Sequence, residues 1–478
     1  MNIRLVLILA VAWTFRAVML VGYVPASPWV ADMVLWDAEM GRNLKEGRGW
    51  VLNEPLVIRI IGTQNAQKKQ IDIAEFLPAP EDSNPASFKR FTTWAHTPGY
   101  SLWFALSYLL GGSERYIHSR ILQAFFDGLA CLFLFGIGRR LWSRSAGYIA
   151  AGLYAFSPAH VFLANLPVSS CLDSFAFLGV AYGIVRIGSD VAAGYRAWKG
   201  VVVAGLCTAF GAAMNSAAFM LPLVAVVAAL ALAPFARQAR RMVVWLMLVW
   251  CLAFAVLAPW GFRNLKVNGQ FTLMRQTFWQ FAWETLGEIP NPWGLALEND
   301  APYWRWTAQN CPDPCPPPVR EATVRNYLFK EVFSSPQFPG HVVKLAVLRV
   351  PRLVSVIRSL PLGVISTEIP PDFQKTLFKF LRVLDTAMLA VFPLALAGLL
   401  CALFLRKKAA VVTIVALAPS VFVVFFSLVF FVEVRKTLPA YGFLFALAGI
   451  AVSAAWNGFW MRARCQADKT ANPHNSKP

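Results

Sequence analysis

Charge is scarce in this chain, and acid is scarcer than base. Only 14% of the 478 residues are Asp, Glu, Lys or Arg, with 25 acids against 44 bases, whereas soluble domains carry about a quarter of their residues as charge. Histidine is rarer still, at five residues. The chain has no H-E-x-x-H string, no Asp-rich run and no His/Cys ligand spacing, so no metal is expected. No internal repeat of fixed period is visible, which sets solenoids and propellers aside. Six of the eight cysteines fall singly in or beside apolar segments, where a thiol behaves as a small buried hydrophobe. Cys311 and Cys315, in N-C-P-D-P-C-P-P-P, are the one candidate disulfide.

What fills the chain instead is apolar. Hydrophobic residues make up 57% and mean hydropathy is +0.53, with several runs near the roughly 20 residues that cross a hydrocarbon core. This is the pattern of an all-α polytopic membrane protein. The formal net charge of +19 invites a nucleic-acid reading. The bases, however, gather in short loops between apolar runs, as positive-inside topology requires, so nucleic acid is not expected as a partner and the lipid bilayer is. The first apolar run, about Leu5 to Val24, is too long for a signal-peptide core and leads to no small-residue cleavage site; it reads as a retained helix.

Five basic loops fix the topology: Arg139 to Arg144, Arg186 to Lys199, Arg237 to Arg241, Arg406 to Lys408 and Arg462 to Arg464. Placing all five in the cytoplasm requires spans near 4–24, 119–138, 146–163, 167–186, 199–215, 217–234, 241–258, 383–405, 410–431 and 438–457, about ten in all, with both termini inside. The short run Tyr100 to Leu110, between Pro98 and Gly111-Gly112, would invert every later loop if it crossed, so it is expected to lie in the interface. The expected organisation is a seven-helix module over 1–258 with a first outer loop at 25–118, a second outer loop at 259–382, three C-terminal spans over 383–457 and a cytoplasmic tail at 458–478.

Acids cluster where the first helix leaves the membrane: Asp32, Asp37 and Glu39 in A-D-M-V-L-W-D-A-E-M. The following pattern of Met33, Leu35 or Trp36, Met40 and Leu44, closed by Gly47 and Gly49, predicts a short amphipathic helix from Asp32 to Lys45. Asp32 is then either its N-cap or a functional carboxylate. Asp173, in V-S-S-C-L-D-S-F, falls in the outer turn of an apolar helix, where an ionisable group is costly unless it faces a cavity or a partner. Asp127 lies deeper, as a functional group or a structural hydrogen-bond node. Arg120, Arg263 and Arg435 stand at outer helix ends and suit an anion, arginine being the side chain of choice for clamping phosphate; singly, each is equally a snorkelling anchor.

Several strings in this order resemble the C-type (GT-C) membrane glycosyltransferases, the superfamily of the protein O-mannosyltransferases and the lipid A aminoarabinose transferase. They are D-x-x-x-W-D with G-R-N-L-K-E-G-R-G-W, H-T-P-G-Y-S-L-W-F-A-L, R-I-L-Q-A-F-F-D-G-L, C-L-D-S-F-A-F, P-W-G-F-R-N-L-K-V-N-G-Q-F and V-R-K-T-L-P-A-Y. The resemblance covers most of residues 1 to 456. It implies a GT-C fold with interfacial helices in the first outer loop. It also implies an inverting transfer of sugar from a polyprenyl-phosphate donor to a lipid, glycan or protein hydroxyl, at the periplasmic face of a bacterial inner membrane, with no cofactor beyond the lipid-linked sugar. Asp32 is then the base and Asp173 the second acid, with Arg263 and Arg435, then Arg120 and His96, on the donor phosphate. The spacing from Asp32 to G-R-N-L is one residue longer than in the relatives, which keeps Asp37 as alternative base, and Asn215-Ser216 stands where many relatives have Arg-Pro. From other classes, a transporter or flippase of an amphiphilic anion and a non-catalytic scaffold are the competing readings.

Overall fold

A computed structural model describes residues 3–25, 28–53, 56–57, 59, 88–90, 97–166, 168–273, 278–296, 301–311, 315, 317–356, 363–365, 371–405, 407–429 and 434–471. Among the described residues, seven helices are long and apolar enough to cross a membrane: Ile3–Val21, Tyr116–Leu141, Ser170–Ala192, Arg237–Val267, Lys379–Leu405, Ala409–Leu428 and Leu438–Gly458. Arg144–Ala155 and Pro158–Ala164, bent by 59° at the break before Pro158, make an eighth if they count as one span. The shorter apolar helices Trp198–Met214 and Ser216–Leu232 occupy the two remaining expected stretches. The chain is therefore a multi-pass helical membrane protein.

Ser170–Ala192 is the hub. It packs on Tyr116–Leu141 and Trp198–Met214, and also against Lys407–Val429 and Val434–Ala471. Close approach is made possible by glycine: a Cβ at Gly183 would stand 2.5 Å from that of Ala204, so only a bare backbone fits there. At the end that carries the basic loops, Asp190 takes Arg140 at 3.2 Å and Arg186 at 3.6 Å. Among the described residues, a fully buried ionic group lies in the membrane interior. Asp127 accepts from Arg16 Nε at 2.6 Å and from Tyr154 Oη at 2.6 Å, and all three side chains are fully buried. Asp127 is thus the hydrogen-bond node of three helices.

Two elements differ from the sequence expectation. The amphipathic helix runs Pro28–Lys45, beginning four residues earlier than expected, so Asp32 sits inside it and is not its N-cap. The outer segments also contain small sheets. Val51–Asn53 pairs antiparallel with Phe88–Arg90, and Tyr23–Pro25 pairs with Gly363–Ile365, joining the start of the first outer segment to the end of the second. Pro98–Gly111 has 14 residues, about 21 Å at 1.5 Å per residue, too short to cross.

The second outer segment has its own core of Trp283, Tyr303, Val324, Leu328 and Leu345. Glu321 caps the helix Phe278–Leu286 from a distance by accepting from the amides of Trp279 (2.8 Å) and Gln280 (3.2 Å), two of the donors a helix start leaves open. Fully buried Arg349 then fastens the unit to the membrane helices, reaching Glu288 (2.8 Å), Thr285 O (2.7 Å) and Leu428 O (2.9 Å). Cys311 and Cys315 are joined in a disulfide, with Cα atoms 5.7 Å apart.

Candidate active site

The helix ends opposite the basic loops bring one acid to the N-terminal part of Pro98–Gly111 and a second to the helix end beside it. On one side lies the helix Pro28–Lys45. Gly41 faces Phe104, and a Cβ there would come within 2.5 Å of Phe104 Cβ. Asp37 is one turn before Gly41 on the same stripe, so the close approach lets Ser101 Oγ donate to Asp37 Oδ1 at 2.6 Å. Ser101 is fully buried and Asp37 is 6% exposed.

On the other side lies the end of Trp198–Met214. Thr97 Oγ1 donates to Met214 O at 2.9 Å, and a Cβ on Gly99 would stand 2.6 Å from the carbonyl of Ala213. The next residue, Asn215, donates through Nδ2 to Asp173 Oδ2 at 3.4 Å. Asp173 occupies the first turn of Ser170–Ala192, where the helix dipole favours negative charge, and is 9% exposed. Between the two acids, Gln123 Nε2 donates to Val168 O (2.5 Å) and to the Tyr100 hydroxyl (3.4 Å). Burial holds the Tyr100 phenol well above its usual range, so it remains a neutral hydroxyl.

Around Asp37 the polar side chains mostly hold structure. Arg42 Nη2 donates to Glu39 at 2.9 Å, Asn43 Nδ2 bridges Glu39 (3.1 Å) to Val51 O (2.9 Å), and Arg48 Nε donates to Asn43 Oδ1 at 2.8 Å. Burial pushes Glu39 above the usual carboxyl range despite these donors.

Of the expected phosphate ligands, Arg120 spends two donors on backbone carbonyls, Asn165 O at 2.6 Å and Leu20 O at 3.4 Å, tying the outer ends of three helices. Arg263 lies over the Trp260 ring, 4.8 Å from its centroid, and donates to Asn264 Oδ1 at 3.1 Å. Trp260 in turn contacts Trp50 at 4.7 Å between ring centroids, so Arg263 stands where the two outer segments meet. Its planar cation on an indole face is held by cation–π attraction. His96 and the side chains of Asp32 and Arg435 lie outside the described residues; the backbones of the latter two are in Pro28–Lys45 and Val434–Ala471. The structure therefore links Asp37 to Asp173 through the interfacial helix and the end of Trp198–Met214, and Arg263 lies where Trp50 meets Trp260. Ser101, Gln123, Trp50 and Trp260 were not singled out by sequence reasoning, and Asn215 only as a departure from a pattern.

The arrangement of helices is the GT-C fold of membrane glycosyltransferases. The chain is similar to the oligosaccharyltransferase of Archaeoglobus fulgidus tethered with an acceptor peptide containing the NVT sequon, with a TM-score of 0.51 and 11% identity over 96% of this chain and 50% of that one. The archaeal oligosaccharyltransferase AglB from Archaeoglobus fulgidus, in complex with an inhibitory peptide and a dolichol-phosphate, gives 0.50 and 13% over 98% and 52%. ArnT of Cupriavidus metallidurans bound to undecaprenyl phosphate gives 0.41 and 16% over 94% and 77%. This chain spans about half the length of the archaeal oligosaccharyltransferase. No protein-family model and no curated protein sequence matches it.

Proposed function

We propose that this chain is an inverting glycosyltransferase that moves a sugar from a polyprenyl-phosphate donor to a hydroxyl acceptor at the outer face of a bacterial inner membrane. The observation that carries the reading is a GT-C fold in which Asp37 is held by the interfacial helix and Asp173 by Asn215, at the helix end on which that interfacial helix rests, while Arg263 stacks on Trp260 beside Trp50. A polyprenyl tail stays in the bilayer and its phosphate stays at the surface, where the acceptor arrives from outside. Asp32, in the helix that also carries Asp37, takes the acceptor proton as the anomeric carbon is attacked. Asp173 orients the acceptor or a basic neighbour. Arg263, with Arg435 and His96, stabilises the charge gathering on the departing phosphate, and a monophosphate leaving group requires neither metal nor cofactor.

Five residues at 3.6 per turn put Asp32 and Asp37 about 140° apart around their helix, so one substitution separates them. Envelope lipids, glycans and proteins from cells with and without the gene, compared by mass spectrometry, identify the product. Asp32→Asn should then lose on the order of a hundred- to ten-thousand-fold in turnover, and Asp37→Asn far less. If Asp37→Asn alone is dead, the base is Asp37; activity in both variants places the base elsewhere and rejects the site.

A further inference from the structure

Asn215 looks like an ordinary helix-ending residue, yet its amide is oriented by the fold. Its Oδ1 accepts from the Ala217 amide at 3.2 Å, capping the short 3-10 helix Ser216–Met220. With the oxygen so engaged, the NH2 end of the side chain is turned the other way, toward Asp173 Oδ2 at 3.4 Å. The backbone of Asn215 is pinned as well: its own amide donates to Gly211 O at 2.6 Å, Thr97 Oγ1 holds Met214 O, and the absent Cβ of Gly99 lets the interfacial helix rest on the Ala213 carbonyl. The same interfacial helix holds Asp37 through Ser101, two residues beyond Gly99.

We propose that Asn215 is a positioning residue for Asp173: it fixes the carboxylate relative to the interfacial helix, so that the two outer-face acids keep a set separation. The inference rests on the glycosyltransferase reading, in which Asp173 belongs to the reacting site. Asn215 touches neither donor nor acceptor in this scheme and acts through the acid.

Asn215→Asp is the informative substitution. Asp caps a helix start about as well as Asn, so the 3-10 turn survives, but the donor to Asp173 is replaced by a like charge. Asn215→Ala removes the donor without adding charge and carries the same test should the Asp variant not accumulate. Turnover of the product identified above should fall about ten- to hundredfold in kcat, the loss expected from misplacing a reacting group by an ångström or less. The donor KM, and binding of undecaprenyl phosphate measured by native mass spectrometry, should stay within about twofold, because no binding group has changed. In an Asp173→Asn background the same substitution should cost less than about threefold, since its route is already cut. Full activity in both Asn215 variants, or an equal loss with and without Asp173, overturns the proposal. A parent chain that makes no glycosylated product overturns the glycosyltransferase reading instead, and the two failures are distinct.

Discussion

Replacing Arg16 by Met tests how the membrane interior of this fold is held together. Arg16, Asp127 and Tyr154 are all fully buried, and Asp127 divides its two oxygens between the guanidinium and the phenol, each at 2.6 Å. Arg16 also donates to Ala12 O at 3.0 Å and Ala155 O at 3.4 Å, so one side chain touches three helices. If the group were a set of ordinary interhelical hydrogen bonds, losing one member would cost about 0.6 kcal/mol and at most about 1.7. An ion pair is different. Met leaves the Asp127 carboxylate buried without its cation, which costs about 3–5 kcal/mol. Removing both partners, as Arg16→Met with Asp127→Leu, should recover most of that loss, because a well-packed apolar pair is often as stable as a buried ionic one. Unfolding titrations in one detergent on the four proteins of the cycle give the coupling directly. Single losses below about 1 kcal/mol that add in the double variant would refute the ionic account and leave a plain polar contact.

Glu39 gives a pH prediction of opposite sense to that of an exposed salt bridge. Burial raises its folded-state value, so its contribution to stability is complete below the ordinary carboxyl range and is lost as pH rises through the raised value. Glu39→Gln should therefore flatten the pH dependence of outer-segment stability, measured by hydrogen exchange; a parent that gains on the variant as pH rises would show Arg42 outweighing burial. Cys311 and Cys315 should resist alkylation in denatured protein until reductant is added; prompt labelling without it would place the second outer segment in a reducing compartment.

The spans were legible because lipid demands long apolar runs, and the ten expected stretches coincide with the apolar helices found, although two of those are short. The strands were not. Three-residue ladders such as Val51–Asn53 with Phe88–Arg90 show no alternation long enough to register, and their partners lie far apart in sequence. The start of Pro28–Lys45 was misread for a different reason. Asp32 resembles an N-cap, but Pro28, with its fixed φ and missing donor, is the better first helical residue, and the helix begins there.

At the site, charge was legible and the contacts that place it were not. Asp173 and Arg263 stand out in the sequence because ionisable groups beside apolar runs are costly without a reason. What sets their surroundings is partly missing matter. Gly41 and Gly99 read in a sequence as two weak points in helical stretches. In the fold they are two of the places where the interfacial helix touches its neighbours, with room for no Cβ against Phe104 on one side and the Ala213 carbonyl on the other. Beside the first contact Ser101 reaches Asp37, and beside the second Asn215 presents its amide to Asp173. A motif search weighs the side chains that are present, so it finds the acids and passes over the two glycines. The path from one acid to the other nonetheless runs over the two close approaches that those glycines allow.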